Sequence, residues 1–258
     1  DWGFNGWGQD TPFALDDTVP IGVANATGIP SIDLNATVLE GGAITVDGNG
    51  VLMATRSSIL EPLRNPGLTE PQLENILRQN LGVTKFIWLD GAPGGQDDIT
   101  DTHVDGFAAF ATHDTLVTMS AADLIYWGVP ASDVPLVHGA TDVNGNPYNI
   151  VQLPLSQNDV VTTYGFNLGY RGSYVNFYVA NTVVLVPTYN DPNDAVAIGM
   201  LQSVFPNRTV IGINSANLLR WGGMVHCVTQ QQIEPNPAMA LPYGCLLYTS
   251  DAADEHSW

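Results

Sequence analysis

Val51-Leu52-Met53-Ala54-Thr55, then Thr69-Glu70-Pro71-Gln72 at the head of a helical pattern, then Lys85-Phe86-Ile87-Trp88-Leu89: the order of these stretches decides the fold. The first run follows Asp47-Gly48-Asn49-Gly50, whose Gly and Asn residues tolerate the positive φ of a tight hairpin turn. Val38 to Val46 is the strand on the other side of that turn. Thr69 and Gln72 stand at capping-box spacing, and Leu73, Ile76, Leu77 and Leu81 share one helical face. Gly82 stops the helix. Lys85 to Leu89 then reads as a buried strand.

The pattern returns further along. Val104 to Thr112 is expected to pair with Thr115 to Ser120 across His113-Asp114, and Tyr174 to Val179 with Thr182 to Val186 across Ala180-Asn181. Asp191 caps another helix with Pro192 at its first position, and Ala197, Leu201, Val204 and Phe205 make its face. Pro206 ends it, and Thr209 to Ile213 is the next strand. Repetition of hairpin, helix and strand predicts an α/β architecture of ββαβ units, with a propeller as the candidate. A doubly wound sheet is the rival, yet no G-x-G-x-x-G loop opens a helix here. Glu40 precedes Gly41-Gly42 at the first hairpin, and His103 and Asp105 stand at the mouth of the second. Cys227 is read on the last strand, after Gly222-Gly223-Met224-Val225-His226. A propeller gathers such residues at one axis.

The 258 residues carry seven Lys+Arg against 26 Asp+Glu, a net charge of −19. That charge repels phosphate backbones, so it argues against a nucleic-acid partner; it would draw in cationic ligands, although a solvated acidic surface is the first explanation of it. With 45% hydrophobic residues the chain can bury a core, but no apolar run approaches the ~18 residues of a membrane helix. Two cysteines make no disulfide scaffold, and no Cys/His spacing resembles a zinc site, so neither metal nor cofactor is expected. Cys245 to Trp258 resembles one reading frame of a sequencing adapter translated as gene. Residues 1–244 are therefore expected to form one catalytic domain, with 245–258 outside the fold.

Several stretches together resemble the agmatine deiminase and bacterial (Porphyromonas-type) peptidylarginine deiminase family of guanidino-modifying enzymes. They are Phe4-Asn5-Gly6-Trp7-Gly8, Glu40-Gly41-Gly42, Arg64-Asn65-Pro66, Thr100-Asp101-Thr102-His103-Val104-Asp105, Asn176-Phe177-Tyr178, Asp191-Pro192-Asn193-Asp194-Ala195 and His226-Cys227-Val228-Thr229-Gln230-Gln231. The resemblance implies a pseudo-fivefold, pentein-like α/β propeller around an acidic funnel. It also implies an incomplete first blade, because the family's guanidinium-binding aspartate belongs to a segment that would precede Asp1. The implied reaction is hydrolytic deimination, of agmatine to N-carbamoylputrescine and ammonia in putrescine and polyamine biosynthesis, through a covalent S-amidino intermediate. Peptidyl-arginine is the alternative substrate, and an inactive guanidinium-binding fragment is the alternative of another class. The compartment follows the branch: cytoplasmic for an agmatine deiminase, exported for a peptidylarginine deiminase. Oligomeric state stays open, a homo-oligomer included. Two features depart from the family pattern: Thr102 stands where glycine usually precedes the histidine, and Gly222-Gly223 lacks a third glycine.

The chemistry fits the residues that the resemblance singles out. A guanidinium stays charged at physiological pH, and its delocalised carbon is a poor electrophile, so attack needs a strong nucleophile held in place. Cys227 matches the family nucleophile, active as a thiolate. His103 would protonate the departing ammonia and then activate water. Asp105 follows two residues on, so in a strand both side chains face one way, and with Glu40 it would hold the guanidinium. Strand alternation points His226 away from Cys227, which makes it structural. His113 is read at an exposed turn, His138 in a loop, and His256 in the adapter-like segment.

Overall fold

The computed structural model describes residues 1–92 and 98–231. The adapter-like segment, with Cys245 and His256, lies outside the described residues. The fold is mixed α/β. Strands β1 (Trp2–Gly3) and β2 (Leu34–Val38) pair in parallel. Three further sheets share one topology. In the first, β3 (Ile44–Val46) is antiparallel to β4 (Val51–Thr55), and β4 is parallel to β5 (Lys85–Leu89). The second joins β6 (Ala109–Thr112), β7 (Thr115–Thr118) and β8 (Asn149–Gln152) in the same way. An antiparallel hairpin of β9 (Leu155–Val161) and β10 (Asn167–Ser173) follows. The third unit is β11 (Tyr178–Val179), β12 (Val183–Thr188) and β13 (Thr209–Asn214), again antiparallel and then parallel.

In each three-stranded unit the parallel crossover carries helix: Glu70–Leu81 in the first, Ala121–Tyr126 and Val134–His138 in the second, Asn193–Val204 in the third. The caps act as their residues dictate. Gln72 Oε1 accepts from the Thr69 backbone N–H at 2.9 Å and from the Thr69 hydroxyl at 2.7 Å. Gly82 closes the same helix at φ 69°, a conformation glycine adopts without steric cost. Strand β4 shows how the units join. Leu52 and Ala54 pack with Leu73 and Leu77 of the unit's own helix, while Val51 and Met53 belong to the large core that holds Phe107, Phe110 and Leu116. Alternate residues of one fully buried strand thus face two cores.

Several strand boundaries differ from the sequence reading, each for a local reason. Val38 to Val46 is not one strand, because Gly41–Ala43 forms a 3-10 turn between β2 and β3. Val104 to Gly106 is also a 3-10 turn, and only Ala109–Thr112 is strand. The carbonyls there bond to distant side chains instead of a ladder: Asn176 Nδ2 donates to Asp105 O at 3.2 Å, and Ser173 Oγ to Gly106 O at 2.8 Å. Tyr174 lies in the core, not on a strand, and its hydroxyl donates to Asp194 at 2.8 Å. Asp191 sits one residue before Pro192, the N-cap of the helix it is expected to cap. Its carboxylate accepts from the Asn193 N–H and also from the Gln157 and Asn158 N–H groups, which ties β9 to that helix. His138 ends the Val134–His138 helix instead of lying in a loop, and its Nε2 lies 2.9 Å from Met119 O.

Candidate active site

Glu40, His103, Asp105 and Cys227 come from distant parts of the chain and meet at one place. Glu40 is positioned from β2. Asn65 bonds to both polar backbone groups of Val38 and to Ile59 O, which fixes the strand end two residues before Glu40 and brings Arg64 alongside. Arg64 Nε donates to Glu40 Oε1 at 2.8 Å, and the other oxygen, Oε2, lies 2.5 Å from His103 Nε2. Both oxygens of this buried carboxylate therefore face protein partners.

His103 follows two residues in the left-handed region, Asp101 at φ 55° and Thr102 at φ 71°. Glycine takes that conformation freely, and a β-branched residue resists it. Side chains hold the turn. The Thr102 N–H donates to Asp98 Oδ2 at 3.0 Å, Thr55 Oγ1 to Thr102 O at 2.8 Å, and Ser57 Oγ to Asp101 O at 2.6 Å. Arg64 pairs with the Asp101 carboxylate as well.

Asp105 lies on the other side. His226 Nδ1 is 2.9 Å from its Oδ2, and the Cys227 Sγ is 3.8 Å from the same oxygen and 3.6 Å from Asn176 Oδ1. Gly42 separates the two sides. A Cβ there would sit 2.6 Å from His103 Nδ1 and 2.7 Å from Asp105 Oδ2, so close approach demands glycine at a φ that is otherwise ordinary. His103 and Asp105 thus face one point, as expected, but through a 3-10 turn instead of strand alternation. The expectation for His226 is overturned for the same kind of reason. His226–Val228 is a 3-10 turn, anchored where the His226 N–H donates to Asn176 Oδ1 at 2.8 Å, so His226 and Cys227 both reach Asp105.

Cys227 is exposed to solvent on one side and crowded by protein on the others. The lost hydration and then the Asp105 charge push its thiol up to about 12. Both causes favour the neutral thiol over the thiolate. A separate cavity of about 540 Å³, lined by Trp7, Asp10, Arg56, Glu61, Asp90 and Asp101, shares Asp101 with the Arg64 network and touches none of the four candidate residues. Arg64 and Asn176 entered the sequence reading only inside motifs. No local pattern marks either as a partner of the site.

A thiol beside Asp105, with His226 on the same carboxylate and His103 and Glu40 across Gly42, is an arrangement suited to a cation on an α/β frame. The chain matches the family model of Porphyromonas-type peptidyl-arginine deiminase over residues 1–233, and it belongs to that family. It is 31% identical over 255 residues to the agmatine deiminase of Pseudomonas fluorescens, covering 91% of this chain and 69% of the relative. Among solved structures, the agmatine deiminase of Enterococcus faecalis superposes with a TM-score of 0.78 at 28% identity, covering 90% of this chain and 68% of that one. The C. jejuni agmatine deiminase, solved as a Cys-to-Ser variant with substrate bound, superposes with a TM-score of 0.73 at 26% identity, covering 89% and 66%.

Proposed function

We propose that this protein is a hydrolytic deiminase that converts agmatine to N-carbamoylputrescine and ammonia. The observation that carries the reading is the meeting of His103 and Asp105 at the bare backbone of Gly42, with the Cys227 thiol 3.8 Å from the same Asp105 oxygen. The relatives named as agmatine deiminases favour agmatine over peptidyl-arginine. In this reading Asp105 holds the guanidinium by charge-assisted hydrogen bonds. Its carboxylate is one of the two causes that keep the Cys227 thiol protonated, so a bound cation that neutralises it lowers the barrier to thiolate.

The steps balance. The Cys227 proton passes to His103, and the thiolate attacks the guanidinium carbon. The C–N bond breaks, His103 returns the proton to the departing nitrogen, and ammonia leaves an S-amidino adduct. His103 then takes a proton from water, and the oxygen attacks the same carbon. The C–S bond breaks as the hydroxyl proton passes to sulfur, which releases the ureido product and the thiol. His103 gives the water proton to solvent, where it is carried by ammonia as ammonium. Glu40, with both oxygens on Arg64 and His103, serves as the anchor of His103 more than as the substrate ligand read from the sequence. The three ββαβ units fit blades of a five-bladed propeller within a single catalytic domain.

Incubating the protein with agmatine and, separately, with an arginine-containing peptide tests the reading. Ammonia and N-carbamoylputrescine from agmatine are expected, with little citrulline in the peptide. Citrulline formation without reaction of agmatine would shift the assignment to peptidyl-arginine. Release of ammonia from neither would overturn it.

A further inference from the structure

We infer that Arg64 is a positioning residue for His103, acting through Glu40 and through the turn at Asp101. The inference deepens the deiminase reading and rests on it for the role of His103. The Arg64 side chain is 1% exposed, and its three nitrogens reach three places. Nε donates to Glu40 Oε1 at 2.8 Å, one terminal nitrogen pairs with Asp101 Oδ2, and the other donates to Ile99 O at 3.3 Å.

Both charged contacts lead to His103. Glu40 presents its second oxygen to His103 Nε2 at 2.5 Å, so fixing one oxygen fixes the ring. Asp101 and Thr102, at φ 55° and 71°, set the direction from which the chain enters His103. Left-handed conformations at non-glycine residues persist only where the surroundings hold them. Arg64 also places one positive charge between two buried or half-buried carboxylates, whose mutual repulsion would otherwise turn Glu40 from the ring. Lysine offers a single ammonium and cannot reproduce the fork.

The test uses Arg64→Lys, Glu40→Gln and the double variant of the full chain. Arg64→Lys is expected to lower kcat by about thirtyfold, the loss of one good charge-assisted contact, with KM changed less than about threefold. In the Glu40→Gln background the same change should cost clearly less, about threefold to tenfold, because the route through Glu40 is already cut and only the one through Asp101 remains. A second readout does not depend on turnover. Diethyl pyrocarbonate labelling, mapped by peptide mass spectrometry, should speed up severalfold at His103 in Arg64→Lys. At His138, held by Met119 O, it should stay unchanged. Equal acceleration at both histidines would reveal general loosening and overturn the inference, as would unchanged His103 labelling or fully additive kinetic losses. If the unaltered protein released no ammonia from agmatine, the deiminase reading would fail, and the labelling would still decide the role of Arg64.

Discussion

The two halves of the site differ in how much freedom the fold leaves them. On the Glu40 side both carboxylate oxygens are engaged, Arg64 is buried, and His103 is only 10% exposed. On the Cys227 side the residue is exposed, and its sulfur sits 3.8 Å from Asp105 Oδ2, on a short 3-10 turn. The first half is built before any ligand arrives, and the second has a group whose charge state a ligand can change. That division suits a reaction in which one histidine must move protons twice from a fixed position while the nucleophile is needed only when a cation is bound.

Removing the proposed nucleophile gives the largest expected effect. Cys227→Ser should lower kcat at least about a thousandfold, since a hydroxyl has a far higher pKa than a thiol and attacks poorly without a strong base. Steady-state ammonia release checks it. Gly42→Ala comes next and damages both halves at once. Its Cβ would lie inside contact distance of His103 Nδ1 and Asp105 Oδ2, so a loss of at least about a hundredfold in kcat/KM is expected, with the protein still folded by circular dichroism.

Asp105→Asn and Glu40→Gln then separate the halves. Loss of the Asp105 charge should cost about a hundredfold in kcat/KM with a clear rise in KM, because in the proposed reading the contact is to substrate. Glu40→Gln should lower kcat by about tenfold or more with KM nearly unchanged, because the contact is to His103. If both variants raised KM alike, the two halves would share one role and the comparison would break.

The smallest effect concerns pH. Folding raises the Cys227 thiol from 9.0 to about 12, so the folded state holds that proton more tightly than the unfolded state. The resulting stabilisation is complete below pH 9 and is lost as pH rises toward 12. Urea midpoints at pH 8 and pH 11 should therefore fall further in the unaltered protein than in Cys227→Ser, which has no thiol to titrate. Equal falls would show that the fold does not hold the thiol neutral.

Much of the frame was legible in the sequence because its signals are local. Thr69 and Gln72 act within one helical turn, Gly82 closes the helix at its own φ, and β4 and β5 are continuous apolar runs with turns at their ends. The candidate site was legible through motif resemblance, which placed Glu40, His103, Asp105 and Cys227 in the chain. Their local geometry was not. Strand alternation fails at Val104–Gly106 and His226–Val228, where side chains from Ser173 and Asn176 capture the backbone of 3-10 turns. Those partners lie far off in sequence, and no window of a few residues contains them. The β9–β10 hairpin escaped notice for a different reason. Gln157, Asn158 and Asp159 are all exposed in the middle of β9, so the strand lacks the alternation by which strands are recognised. Arg64 is the clearest case of a long-range signal. Its partners, Glu40 and Asp101, stand 24 and 37 residues away, and only the folded chain shows one guanidinium between them.

The measurement that bears most directly on the account is trapping of the covalent intermediate. The protein is mixed with agmatine, quenched in acid during turnover, digested and analysed by mass spectrometry. The account predicts an amidino adduct on the peptide that contains Cys227, present in Glu40→Gln as well as in the unaltered protein and absent in Cys227→Ser. Ammonia release with no adduct on Cys227, or with undiminished turnover in Cys227→Ser, would contradict it.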